Sequence, residues 1–163
     1  MSNLEAAGTA APVFREARET DLPAILALLA DDPLGKYREM SVPDGAQIPA
    51  GYRVAFEAIT ADPRNLMIVA ELDGAVAGCL QLTFIPGLTY SGGERVLIEA
   101  VRIRKDLRGA GLGRALMSHV VELARSRGAV LVQLATDKRR AGAIAFYRSL
   151  GFAASHEGMK LRF

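Results

Sequence analysis

VRIRKDLRGAGLGR, residues 101–114, is the stretch whose reading decides the fold. An apolar, β-branched segment runs into a turn that holds Gly109, Gly111 and Gly113 between Arg108 and Arg114, and a helical pattern follows. Glycine lets the chain turn sharply and lets a ligand approach the main chain with no Cβ in the way. A helix opening here points its first unpaired N–H groups, and the positive end of its dipole, into the turn. Strand, glycine turn and helix start together form an anion cradle suited to a diphosphate. The G-x-G-x-G spacing departs from the G-x-G-x-x-G of dinucleotide binding, and the Lys-Ser or Lys-Thr of a P-loop is missing. A glycine-rich β–α turn that holds no ligand is the plain alternative.

Working outward, Leu112, Ala115, Leu116, Val120, Leu123 and Ala124 recur at helical spacing as far as Arg127, with Gly128 as the stop. Residues 96–104 read as the strand before the turn. Residues 66–72 and 76–85 read as an antiparallel pair joined by Asp73-Gly74. At the start, residues 14–17 read as a strand and Thr20 as the N-cap of a helix with Pro23 in its first turn, ended by Asp31-Asp32-Pro33. Residues 34–49 read as a long loop with a helical turn over 37–40, and residues 52–61 as a second helix. Residues 88–93 read as a loop. Beyond the central helix come a strand over 130–136, a helix over 141–150 stopped by Gly151, and two short closing strands over 152–155 and 159–163. The expected order is β-α-α-β-β-β-α-β-α-β-β.

The chain has 163 residues, half of them hydrophobic and 23% charged, with a net charge of +2. That suits one domain with a full core. Residues 1–12 are small and weakly polar and are expected to be a flexible leader to a single domain over 13–163. They lack the basic start and apolar core of a signal peptide, and no apolar run reaches the ~20 residues of a membrane span. The expected location is the cytoplasm. There is no Trp and no basic run interleaved with aromatics, so neither nucleic acid nor a membrane is expected as a partner. One cysteine, Cys79 in AVAGCLQL, reads as a buried structural thiol. His119 and His156 have no companions at ligand spacing, so no metal is expected.

Arg108-x-x-Gly111-x-Gly113, directly after a strand, resembles the acyl-CoA signature of the GNAT superfamily of N-acyltransferases. A second block, Ala145-Phe146-Tyr147-x-x-x-Gly151-Phe152, resembles the closing helix and strand of the same fold. With the element order, the resemblance covers essentially the whole domain. It implies an α/β (α+β) fold: a mixed, mostly antiparallel central sheet flanked by helices. It also implies acetyl transfer from acetyl-CoA, as co-substrate, to a primary amine by direct attack in a ternary complex. The diphosphate would rest on Arg108, Gly109, Ala110, Gly111, Leu112, Gly113 and Arg114. The pantetheine arm would lie like an added strand beside Val101, Arg102 and Ile103, where a main-chain N–H would polarise the thioester carbonyl. Further contacts would come from the last helix, at Arg140 and Ala143. Many family members carry an asparagine where this chain has Arg140, so that contact is either replaced by a phosphate contact or missing. Lys138-Arg139-Arg140 reads as a contact to the 3′-phosphate or as a solvated loop.

Two residues carry the expected catalysis. An alkylamine is neutral in about one molecule in a thousand or fewer at pH 7, so a base is needed. Glu99, in VLIEAVRI, is the candidate, the alternative being a salt-bridged or edge-exposed glutamate. Period-2 alternation puts it on one face with Val101 and Ile103, among apolar neighbours, where burial would raise its proton affinity as a base requires. The resemblance makes Tyr147 the general acid, or the donor to the departing thiolate; the alternative is an aromatic that only packs. A CoA-binding sensor without turnover, or O-acylation or a longer acyl chain on the same fold, are the competing functions. The acceptor, a small-molecule or peptide amine, has no readable code, and a homodimer rests on analogy alone.

Overall fold

The computed structural model describes residues 10–32, 42–43 and 45–163. Most of the expected leader, the turn over 37–40 and the first part of the long loop lie outside the described residues.

Five strands form one sheet in the order β1-β2-β3-β4-β5. They are β1 (Val13–Glu16), β2 (Asn65–Leu72), β3 (Ala75–Ile85), β4 (Arg95–Ile103) and β5 (Leu131–Leu134). The first four are antiparallel, and β5 runs parallel to β4. The β2–β3 hairpin turns on Asp73 and Gly74, with φ of 51° and 77°. Positive φ at both central residues is what a tight primed turn requires, and Asp-Gly supplies it at low cost.

The helices are α1 (Leu22–Ala30), α2 (Ala50–Ala61), a single turn α3 (Thr89–Gly92), α4 (Leu112–Ser126) and α5 (Ala141–Ser149). Alternation along the strands sends successive residues to opposite faces. Met67, Val69 and Cys79 meet Leu22, Ile25, Leu26 and Leu28 of α1 and Phe56 of α2. Leu66, Ile68, Leu80, Leu82, Val96 and Ile98 meet Leu112, Leu116, Met117 and Val120 of α4 on the other side. Phe146, Tyr147 and Leu150 of α5 pack against that second cluster. Cys79 is fully buried, and burial pushes its thiol up to about 12. Gly128 (φ 80°) and Gly151 (φ 91°) end α4 and α5 in the left-handed conformation, as expected of helix stops.

Two expectations fail. Thr20 does not cap α1; it lies inside a 3₁₀ turn, Glu19–Asp21, that precedes the helix. The reason is Asp21, whose carboxylate accepts the Arg18 N–H at 2.7 Å and two bonds from Arg15 at 2.7 and 3.0 Å. Arg15 also donates to Glu71 at 2.8 Å, so one guanidinium ties β1, the start of α1 and β2 together. The second failure is the pair of closing strands. Residues 152–163 pair with nothing, and the sheet stops at β5. The strand-like alternation of Met159, Leu161 and Phe163 is present, but these side chains are 93%, 81% and 115% exposed. A tight turn from Ser155 N–H to Ala153 O and an ion pair between Lys138 and Glu157 at 2.9 Å hold the segment over the β5–α5 loop instead. No helix among the described residues is long and apolar enough to cross a membrane.

The nearly buried Arg15–Asp21 pair gives a pH signature. The hydrogen bond from Arg15 holds the Asp21 carboxyl below its ordinary 3.8. Stability from this group is therefore present above about pH 4 and drains away as pH falls through the depressed folded value. Asp21→Asn should cost about 2 kcal/mol at pH 7, roughly 4–8 °C in Tm, with the gap to the parent narrowing toward pH 2. Thermal melts of both proteins across that range check it.

Candidate active site

The site begins where β4 parts from its neighbours. Between Cys79/Arg102 and Gln81/Glu99 the β3–β4 register shifts by one residue, and the extra residue is Ala100, with φ of 54°. A bulge of this kind bends the strand and resets the phase of its side chains. Val96 and Ile98 face α4 before it, Val101 and Ile103 after it. Glu99 therefore does not share a face with Val101 and Ile103, as simple alternation predicts. It pairs with Gln81 and lies on the α1–α2 side with Arg102. It is also exposed rather than buried among apolar neighbours.

On its other edge β4 pairs with β5 only from Arg95 to Ile98, opposite Leu131 to Leu134. Beyond Ile98 the two strands separate. The Arg104 N–H bonds Ala77 O, so the alternating backbone groups of Val101 and Ile103 point away from β3, into the gap. The carbonyls there are already engaged by arginine side chains: Arg102 donates to Val101 O at 2.8 Å and Arg108 Nε to Ile103 O at 2.9 Å. The N–H groups remain as donors along the open edge.

The glycine turn stands at the end of this edge. Gly109 (φ 81°) and Gly111 (φ 97°) are both left-handed, with open space where a Cβ would be. Gly111 is the N-cap of α4, whose first helical bond runs from Ala115 N–H to Gly111 O at 3.0 Å. The N–H groups of Leu112, Gly113 and Arg114 therefore have no partner within the helix. These donors, with the open β4 edge, fit the diphosphate and amide arm of coenzyme A. Gly113 is different: a Cβ there would lie 3.5 Å from Ile103 and 3.6 Å from Phe146, ordinary contact distances. Arg108 and Arg114, exposed beside the turn, are held by protein acceptors. Arg108 pairs with Asp31 at 2.8 Å, and Arg114 donates to Ser149 Oγ at 2.7 Å.

Arg140 is engaged by a carboxylate of the protein. It donates to both oxygens of Asp32, which also accepts from Arg102 at 2.8 Å. The Asp32 side chain is 1% exposed. One buried carboxylate thus joins the end of α1, the far half of β4 and the start of α5. Asp32 entered the sequence reading only as part of a helix stop, and its site role was missed. The Asp-Asp pair ahead of a proline was the available signal, but nothing in the spacing tells which arginines it meets. Arg102 was expected to contribute backbone alone; its side chain braces the cleft, and its Nε is buried without an acceptor.

Tyr147 is half-buried on α5, its ring 5.3 Å from Phe146 and 6.0 Å from Phe152. It packs as the alternative reading expected, and it also meets the electrostatics of the cleft. Burial raises its hydroxyl above the ordinary 10.0, while the charges of Arg102 and Arg140 pull it back. It therefore keeps its proton at neutral pH and can donate it. Ala143 is half-buried on the same helix. Lys138 and Arg139 are exposed and paired with Glu157 and Asp137. His119 is exposed and stacked on Phe14 at 5.0 Å, and His156 is exposed beside Ser155.

Comparison with known proteins identifies the family. The model of the acetyltransferase (GNAT) family matches residues 24–152. Streptothricin acetyltransferase of Streptomyces lavendulae is 32% identical over 155 residues, which is 94% of this chain and 75% of that protein. Glucosamine 6-phosphate N-acetyltransferase of Trypanosoma brucei brucei is 35% identical over 88 residues, covering 54% of this chain and 58% of that protein. Among solved structures, a transcriptional regulator from Bacillus halodurans C-125 superposes with a TM-score of 0.88 at 44% identity, over 94% of this chain and all of that one. The α/β fold and these matches show that the chain belongs to the GNAT family of acetyltransferase enzymes.

Proposed function

We propose that the protein moves an acetyl group from acetyl-CoA to a primary amine by direct attack, with both substrates bound in the cleft between β4 and β5. The observation that carries this is the separation of those strands beyond Ile98, with main-chain donors at Val101 and Ile103 on the open edge and at Leu112, Gly113 and Arg114 in the first turn of α4. The N–H groups of Val101 and Ile103 meet the pantetheine arm and polarise the thioester carbonyl. The donors at the start of α4 take the diphosphate.

The acceptor enters from the α1–α2 side, where Glu99 is exposed. Its carboxylate attracts the cationic amine, takes the proton that frees the lone pair and passes it through water to solvent, so that it is ionised again beside the neutral amine. The amine nitrogen bonds the acetyl carbon and gives its second proton to Glu99, the carbon–sulfur bond breaks, and Tyr147 supplies a proton to the sulfur. Water carries the proton from Glu99 to the tyrosinate, so free coenzyme A and an amide leave. The bulge at Ala100 puts the acidic group on one side of the sheet, while α5 brings the tyrosine from the other. The two proton transfers are thereby kept apart.

The deciding experiment is release of free coenzyme A from acetyl-CoA across an amine panel that includes streptothricin and glucosamine 6-phosphate, the acceptors in the names of two relatives. Amine-dependent release is expected. Tight binding of acetyl-CoA with no release by any amine would return the sensor reading instead. Tyr147→Phe should lower kcat by about tenfold or more with little change in either KM, because it removes a donor used as charge develops on sulfur. Gly111→Ala forces a Cβ into a left-handed residue, a cost of about 1–2 kcal/mol, and should weaken acetyl-CoA binding by tenfold or so. Gly113→Ala, with ordinary contacts, should bind nearly as the parent does. Calorimetry with acetyl-CoA separates the two variants.

A further inference from the structure

The α1–α2 face of the sheet carries a row of polar side chains that the reaction just described does not use. Asp62, at the end of α2, accepts the Arg64 N–H on Oδ1 at 2.9 Å and Asn65 Nδ2 on Oδ2 at 2.9 Å. An ionised carboxylate only accepts, so it fixes which end of the Asn65 amide faces it. Asn65 Oδ1 is thereby turned toward β3, where it accepts from Thr83 Oγ1 at 2.8 Å and from Gln81 Nε2 at 3.4 Å. The orientation passes along the relay: with its nitrogen committed to Asn65, Gln81 must present its oxygen elsewhere.

Gln81 lies directly across the ladder from Glu99. Opposite residues of an antiparallel pair share a face, with Cβ atoms about 5 Å apart. Gln81 is half-buried and Glu99 exposed. Among the described residues, the Gln81 amide oxygen accepts no hydrogen bond and Glu99 makes no ion pair. Two unpartnered acceptors therefore stand side by side at the open half of β4.

We propose that Gln81 binds the acceptor nitrogen: its amide oxygen, held outward by Asp62 and Asn65, and the Glu99 carboxylate take the two N–H bonds of an attacking primary amine. This rests on the transferase reading above. A neutral primary amine has two N–H donors and one lone pair. Holding both donors leaves the lone pair as the group aimed across the strand toward the thioester, the orientation that an intracomplex attack needs. A secondary amine has one N–H and leaves one acceptor unmatched, so the pair also selects for primary amines. Asn65 and Asp62 are positioning residues, which act through the Gln81 amide.

The test uses the full-length protein, acetyl-CoA, the panel amine that the parent acetylates fastest, and the N-methyl derivative of that same amine. Gln81→Leu should raise the KM for the primary amine by about tenfold or more, leave the KM for acetyl-CoA within twofold, and erase the preference for the primary over the N-methyl amine. Asn65→Ala, with Gln81 intact but free to flip, should show the same two changes, and the double variant should be no worse than Gln81→Leu alone. Thermal melts confirm folding, and Asn65→Ala carries the test if Gln81→Leu does not fold. An acceptor KM and amine preference within twofold of the parent, or additive losses in the double variant, overturn the proposal while leaving the transferase reading in place. If the parent acetylates no amine, both fall.

Discussion

Beyond Ile98, β4 and β5 stop pairing, and the rest of the site depends on that loss. A parallel pair normally satisfies both strands' backbone groups, and an unpaired stretch in a domain interior is costly unless something else bonds it. Here the cost is met partly by arginine side chains on the Val101 and Ile103 carbonyls. The N–H groups of the same two residues point into the gap. The helices follow from this gap. α4 covers one face of the sheet, and Phe146, Tyr147 and Leu150 of α5 pack against the same cluster as Val101 and Ile103.

The charged groups around the gap are braced against one another. Asp32 takes two arginines, Arg108 reaches Asp31, and Arg114 reaches Ser149. A buried ion pair is weak evidence for net stability, because desolvation offsets much of the attraction. Its value here is geometric. It fixes the distance between the end of α1 and the start of α5, the two elements that flank the cleft. The cluster holds more arginines than carboxylates, which makes the field in the cleft positive.

Much of this was legible in the chain. The Asp73-Gly74 hairpin, the glycine turn, the stops at Gly128 and Gly151 and the central helix all rest on local rules, with residue type and spacing sufficient to place them. The family resemblance pointed to Tyr147 and the β4 edge as site groups. What could not be read was non-local or depended on one residue's conformation. Ala100 carries no mark of a bulge, yet the bulge moves Glu99 to the other face and out to solvent. Asp32 meets Arg140 across 108 positions of sequence. Thr20 lost the capping role because Asp21 was captured by an arginine on β1. The closing strands have the right alternation but no edge that they pair with.

One small feature has a practical side. Cys79 is the chain's single cysteine, wholly buried, with its thiol held near 12. Disulfide and maleimide reagents attack thiolates they can reach, and this one is neither ionised nor reachable at neutral pH. A colorimetric sulfhydryl reagent added to the native protein therefore reads thiols released into solution and not the protein's own, so a thiol-releasing reaction can be followed continuously without first masking or mutating the protein. The same reagent begins to titrate the protein itself only when the sheet comes apart, which makes it a stopwatch for unfolding.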